Sequence, residues 1–72
     1  MNLQIDQIDF DATEALASSM ATDELTYAIK DVLVAMKHAD EMDRAGLRNN
    51  FGKYQDQYHV FTTELNRRNA AK

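Results

Sequence analysis

The clearest pattern of apolar positions lies between Leu25 and Ala39. Successive apolar residues there are separated by four, three, four and three positions: Leu25, Ile29, Val32, Met36 and Ala39. This spacing puts all five on one face of an α-helix. Further apolar residues fall between them, at Ala28, Leu33, Val34 and Ala35. Because a surface helix needs only one apolar stripe, we expect this helix to be covered from more than one side.

A second apolar stripe, rich in aromatic residues, extends to Leu65. Its members are separated by four, three, four, three and four positions: Leu47, Phe51, Tyr54, Tyr58, Phe61 and Leu65. Apart from Val60, nearly every other residue in this stretch is polar. The pattern predicts a peripheral helix over 49–69 that presents one narrow face, with Asn49 or Asn50 as its N-cap.

The central helix is predicted over 23–45 from signals at both of its ends. Thr22 can cap its start, and the acids Asp23 and Glu24 favour the positive end of the helix dipole. Gly46 is typical of a left-handed residue just after a helix, with Leu47 folding back onto the last turn. The alternative is one continuous helix through Gly46, as in a long dimeric coiled coil. The apolar stripe changes phase at Gly46, which favours the break.

The first nineteen residues predict a short helix behind an arm. Asp11 followed by Glu14 resembles an N-cap signal, and we place a helix over 12–19. Residues 1–10 alternate between apolar and polar residues without a consistent phase. They are interpreted as an extended arm that packs four apolar side chains against the helices, although a helical conformation is compatible with part of it. These side chains are Leu3, Ile5, Ile8 and Phe10.

These elements predict a single all-α domain over 1–72, with a short N-terminal helix followed by an antiparallel two-helix hairpin. A four-residue connection suits antiparallel neighbours. A 72-residue chain buries a modest core, sufficient for only ~3–5 kcal/mol of net stability. The absence of cysteine excludes disulfides and thiolate zinc sites as reinforcement. We therefore predict a small helical bundle completed by homodimerisation.

The net charge of −4 conceals two halves of opposite sign. Residues 1–43 contain ten acidic and two basic residues, a balance of −8, whereas 44–72 contain two acidic and six basic residues, a balance of +4. The halves can attract each other within the fold, or one of them can form a partner-binding patch. The first residues have no basic region typical of a secretory signal, and no run of ~20 apolar residues occurs. A cytoplasmic protein without membrane contact is the expectation.

Few residues suggest catalysis or metal binding. Two short motifs pair a histidine with a carboxylate one helical turn away, His38-x-x-Glu41 and Asp56-x-x-His59. Both lie on the flanks or backs of the apolar stripes, where solvated polar residues are usual, so we predict neither a metal site nor a cofactor. Ser18 and Ser19 have no histidine nearby in the sequence, and the two glycines form no phosphate-binding loop. We expect that the protein is not an enzyme.

We therefore expect a small acidic protein-interaction module that acts as an inhibitor, adaptor or regulator on another protein. Small proteins with which mobile elements inhibit host factors fit this description. The tyrosines of the second stripe keep hydroxyls that must reach a partner or solvent, and tyrosine is enriched at interfaces. An intrachain core with the hydroxyls at its rim is an equally good interpretation. The predicted partner-binding residues are Tyr54, Tyr58, Phe61, Asp40, Glu41 and Asp43.

A nucleic-acid-binding regulator is the alternative hypothesis. Basic residues on the C-terminal helix and its N-terminal flank could contact phosphates or bases: Arg44, Arg48, Lys53, Arg67 and Arg68. The acidic net charge disfavours duplex binding, which normally uses a basic patch. An opposite hypothesis uses the acids Asp40, Glu41 and Asp43 as a mimic of nucleic-acid phosphates.

Overall fold

The computed structural model describes residues 8–71, which form three α-helices. These are α1 (Phe10–Ser19), α2 (Thr22–Arg44) and α3 (Phe51–Ala70). The predicted all-α class is confirmed. The predicted helices differ from these bounds by no more than two residues at any end. Residues 1–7 of the predicted arm lie outside the described residues.

Helix α1 begins two residues earlier than the sequence pattern suggests, because Asp9 and not Asp11 caps it. The Asp9 carboxylate accepts a hydrogen bond of 3.1 Å from the Ala12 N–H. The Thr13 hydroxyl donates to the Asp9 carbonyl at 2.8 Å. The placement of Phe10 in an extended arm is therefore wrong, since Phe10 is the first residue of α1. Either aspartate has the chemistry of an N-cap, and the local sequence does not distinguish them.

The start of α2 is capped from inside the helix. The N-cap position is occupied by Ala21, whose methyl side chain cannot accept a hydrogen bond. The Glu24 carboxylate instead accepts from the Ala21 N–H at 2.9 Å. Thr22, which the sequence suggested as the cap, is the first helical residue. Its hydroxyl is thereby free to accept a hydrogen bond from another helix.

Helix α2 ends at Arg44, and Gly46 is the left-handed residue that follows the helix end, as predicted. Gly46 has a φ of +76°, in the left-handed region that favours glycine. The Leu47 N–H donates to the Met42 carbonyl at 2.9 Å, and the Gly46 N–H donates to the Asp43 carbonyl at 3.0 Å. These two bonds satisfy carbonyls that the helix end would otherwise leave unpaired. A single helix running through Gly46 is therefore excluded.

Replacing Gly46 with alanine should destabilise the fold through backbone strain alone. A Cβ at this position would meet no heavy atom within 4 Å, so steric crowding contributes nothing. The left-handed conformation should cost about 1–2 kcal/mol for a residue with a Cβ. Urea unfolding measures this loss. Gly46→Asn is the matched control and should lose less, because asparagine tolerates this conformation; equal stability of Gly46→Ala and the unmodified chain would contradict the assignment.

Asn49 organises the connection between α2 and α3. Its side chain is only 2% exposed. Its amide nitrogen donates to the Asp43 carboxylate and to the Leu47 carbonyl, both at 2.9 Å, and its amide oxygen accepts from the Phe51 N–H at 3.0 Å. Of the two asparagines considered as caps, Asn49 therefore supplies the side-chain bond that starts α3.

The core forms where α3 packs along α2. The central stripe of α2 is buried or half-buried, as its spacing predicts, and it meets the aromatic stripe of α3. The buried hydrophobic residues are Ala17, Leu25, Val32, Ala39, Val60 and Phe61. Val60, the exception on the polar side of α3, is buried in the same cluster as Ala17 of α1. Leu47 is 54% exposed and stays outside the core, although its spacing placed it in the stripe.

The third helix covers only part of this two-helix layer. Helix α1 packs mainly against α3. On α2, Leu33 is 46% exposed and Val34 is 72% exposed. The expected covering of α2 from more than one side is therefore not met within the described residues of one chain.

Candidate protein-interaction surface

The side of α2 opposite the core carries an exposed line of residues. Leu25, Val32 and Ala39 are buried and spaced by seven, and the residue two positions after each points away from α3. These outward residues and their neighbours on the same side are exposed. We call this line the outer ridge, and it consists of Tyr27, Asp31, Val34, His38 and Glu41.

Two large apolar side chains dominate the outer ridge. Tyr27 is 66% exposed and Val34 is 72% exposed, and they lie two helical turns apart. The Lys30 ammonium is 5.7 Å from the centre of the Tyr27 ring, within the range of a cation–π interaction. This contact favours one orientation of the ring. The ridge thus presents apolar surface to solvent, while the opposite face of α2 is packed in the core.

The aromatic residues predicted to bind a partner lie on the inner side of α3. Phe61 is 5% exposed and belongs to the core cluster. Tyr54 and Tyr58 are half-buried and pack against that cluster. The structure therefore uses Phe61 for packing within the chain and leaves only parts of the two tyrosines at the surface.

The three acids predicted beside them serve different purposes. Asp40 forms an ion pair with Arg44, at 3.2 Å. Asp43 accepts the hydrogen bond from Asn49 described above. Glu41 is exposed on the outer ridge. The structure does not bring these acids and the tyrosines together into one surface.

The basic residues of the nucleic-acid hypothesis divide into two groups. Arg44, Arg48 and Lys53 lie around the connection between α2 and α3, and Arg67 and Arg68 lie near the end of α3. A helix of 20 residues is about 30 Å long, so α3 separates the groups by most of its length. They do not form one continuous basic patch.

Arg68 joins the three helices. Its guanidinium donates to the Thr22 hydroxyl at 3.2 Å and to the carbonyls of Ala17 and Ser18 at 3.0 and 3.4 Å. It also forms an ion pair with Glu64, at 2.8 Å. The Arg68 side chain is 20% exposed. We call the bonds of Arg68 to Thr22, Ala17 and Ser18 the Arg68 clasp, and they make Arg68 a structural residue.

Glu64 is held as a carboxylate by both neighbouring arginines. Arg67 donates to its two oxygens at 3.3 and 2.6 Å, and Arg68 donates to one of them. The hydrogen bonds from Arg67 and then Arg68 lower the pKa of Glu64, and the bond to Glu64 raises the pKa of Arg67. One carboxylate thus offsets one of the two arginine charges near the end of α3.

A groove of about 540 Å³ lies between α1 and α3. Phe10, Glu14, His59 and Arg67 are among the residues that line it. Across residues 8–71, no three histidines or carboxylates are close enough together to hold a metal ion. None of the helices in this part of the chain is both long and apolar enough to span a membrane.

Sequence reasoning missed the outer ridge and the Arg68 clasp. The ridge could have been found from Tyr27 and Val34, which each lie two positions after a buried residue of the central stripe. The clasp has no local signal, because its partners are about fifty residues away in the sequence. Comparisons of the chain with known protein families, curated proteins and solved structures find no significant match.

Proposed function

We propose that this chain is a non-catalytic protein-interaction module that acts as an inhibitor, adaptor or regulator by occupying a surface of another protein. The outer ridge carries this proposal. Tyr27 and Val34 are more exposed than any other large hydrophobic residue described. Tyrosine is enriched at protein interfaces, where a few well-placed side chains supply most of the binding energy. An ordered helix that exposes such residues is a suitable binding element.

The charges around the ridge suggest a basic partner surface. Asp31 and Glu41 lie on the ridge, and Asp23 lies one turn before Tyr27; all three are exposed. Lys30 and Lys37 balance part of this charge locally. Charge complementarity of this kind raises association rates and orients the partner.

The engagement of the serine hydroxyls supports a non-catalytic role. The Ser18 hydroxyl donates to the Glu14 carbonyl at 2.8 Å, and the Ser19 hydroxyl donates to the Leu16 carbonyl at 2.7 Å. Hydroxyls committed to their own helix are poor nucleophiles without a neighbouring base. Nucleic-acid binding has weaker support, because Arg68 is engaged in the clasp and the remaining basic residues are divided between two ends of α3.

A pull-down of the tagged protein from nuclease-treated lysate tests the proposal. We expect one protein to be recovered stoichiometrically by the unmodified chain and lost with Val34→Lys, because the new charge lies at the centre of the ridge. Leu16→Lys is the matched control, since Leu16 is 51% exposed on α1 and away from the ridge. Equal recovery with Val34→Lys and the unmodified chain would refute the ridge as the binding site. Recovery that requires intact nucleic acid would support the alternative.

We also infer that the chain functions as a homodimer. The six buried hydrophobic side chains found in residues 8–71 form a small core, and the sequence has no cysteine to reinforce it. Domains of this size often obtain additional stability by association.

A further inference from the structure

Within residues 8–71, one side of the α2–α3 layer has no third helix over it. Val60 comes just before the buried Phe61 in the chain, belongs to the same buried cluster as Ala17 of α1, and lines the groove between α1 and α3. Leu33 follows the buried Val32, and Thr62 follows Phe61. Consider two antiparallel right-handed helices packed into a layer. On both helices, the residue one position after a buried residue points to the same side of the layer, and the residue one position before it points to the opposite side. Leu33 and Thr62 therefore lie on the side away from α1.

The composition of this uncovered side is that of an interface. Two hydrogen bonds mark the opposite ends of the layer, Arg68–Thr22 at one end and Asn49–Asp43 at the other. Midway between these bonds, Leu33 of α2 lies beside Tyr58 of α3. On α3 this side carries no charged residue, and all its members are aromatic, apolar or neutral polar. We call it the open face, and it includes Ile29, Leu33, Phe51, Tyr58 and Thr62. Depletion of charge around aromatic and aliphatic residues distinguishes the core of an interface from ordinary surface.

We propose that the open face is the homodimer interface, and that two copies stack their α2–α3 layers face to face into a four-helix bundle. The proposal rests on the homodimer inferred above and identifies its contact surface. The ridge lies on the outward side of α2, so it stays available to another protein in such a dimer. Each copy then covers the half-exposed Leu33 and Tyr58 of the other.

The dimensions of the chain favour a second copy as the occupant. Its solvent-accessible surface is 5111 Å², whereas a compact chain of its mass exposes about 4,500 Å². Its radius of gyration is 13.3 Å, against about 11 Å for a compact chain of this length. The chain measures 44 × 21 × 16 Å along its principal axes, so its broad side is large enough to bury the roughly 800 Å² per partner of a standard stable interface. Stacking two such thin layers gives a thicker, more compact body.

The distribution of charge also suits stacking of like faces. The Asp40–Arg44 pair lies on the flank of α2 that borders the open face, near its end, where it is partly exposed and neutral as a pair. The charged residue one helical turn after Leu33 is the exposed Lys37, whose long side chain can reach solvent at the rim of the contact. A two-fold arrangement places Leu33 and Tyr58 near their own counterparts at the middle of the contact.

Multi-angle light scattering on the purified full chain tests this assignment. We expect a mass of twice the 8.2 kDa chain at micromolar concentration. Leu33→Lys should raise the dimer dissociation constant at least about 30-fold, because it puts a charge at the centre of the contact in both copies. Circular dichroism of Leu33→Lys should remain helical, since the side chain is already 46% exposed.

The neighbouring residue provides the matched control. Val34→Lys adds the same charge to the outer ridge and should leave the dimer mass unchanged. A monomeric mass for the unmodified chain, or dissociation by Val34→Lys without dissociation by Leu33→Lys, would overturn the assignment. If the unmodified chain is monomeric and captures another protein, and Leu33→Lys abolishes that capture, the open face binds that protein and not a second copy. The ridge proposal fails on a different result: in the pull-down, Val34→Lys would recover the partner protein as well as the unmodified chain does.

Discussion

Replacing Phe61 with alanine should leave most of the chain unfolded in the absence of a stabilising partner. Phe61 is 5% exposed and belongs to the cluster that joins the three helices. Truncation of a buried phenylalanine costs about 3–5 kcal/mol, because the chain loses apolar burial and gains a cavity. A core of this size supplies a net stability of about the same amount. Far-UV circular dichroism and urea unfolding at a fixed protein concentration measure the effect.

Phe10 offers a matched control for this substitution. It is 45% exposed at the first position of α1, so Phe10→Ala removes the same atoms from a site where they are only partly buried. We expect this variant to lose less than about 1 kcal/mol and to remain helical. Comparable stability of Phe61→Ala and Phe10→Ala would show that Phe61 does not occupy the core.

Local sequence signals predict the helices well because their physical causes are local. The apolar spacing of α2 determines which face is buried, and Gly46 determines where the helix ends, since only glycine adopts its left-handed conformation without strain. The Asp40–Arg44 and Glu64–Arg68 pairs follow from a spacing of four residues on a helix. The start of α1 was missed because Asp9 and Asp11 offer the same capping chemistry.

The spacing of apolar residues along the sequence does not predict which helices contact each other. The aromatic stripe of α3 indicates a buried face, but it does not indicate whether Tyr54, Tyr58 and Phe61 meet a neighbouring helix or another molecule. The structure puts Phe61 in the chain's own core. Val60 shows the same limit, because its partner Ala17 is distant in the sequence. A surface site therefore becomes recognisable only after the intrachain packing is known.

The charged residues of the two oppositely charged halves pair mainly with neighbours on their own helix. Opposite charges in the two halves suggested attraction between them, yet each of the three ion pairs found in residues 8–71 joins residues of one helix. Arg68 reaches the other helices through neutral acceptors, the Thr22 hydroxyl and two carbonyls of α1. Long-range attraction can assist docking of the halves, but specific hydrogen bonds fix how they meet.

Replacing Arg68 with alanine should loosen α1 from the rest of the fold. The substitution removes a guanidinium that bonds to the carbonyls of Ala17 and Ser18 and to the Thr22 hydroxyl. Hydrogen bonds to charged groups contribute about 1.5–3 kcal/mol, and a cation also favours the C-terminal end of α1 through the helix dipole. We expect a loss of about 2 kcal/mol in urea unfolding. Amide hydrogen exchange in α1 should accelerate by about 30-fold, the equivalent of that free energy.

Arg67→Ala separates the clasp from the ion pair that the two arginines share with Glu64. Arg67 is 65% exposed and its side chain bonds to Glu64 on its own helix, so its removal should affect stability little and leave α1 protected. Arg68→Lys keeps the charge but lacks the planar fork that reaches several acceptors, and we expect it to behave more like Arg68→Ala. Equal acceleration of exchange in the Arg67 and Arg68 alanine variants would assign the stabilisation to the Glu64 pair. Acceleration confined to the Arg68 variants would show that contacts across helices, made by one side chain at the end of α3, hold α1 in place.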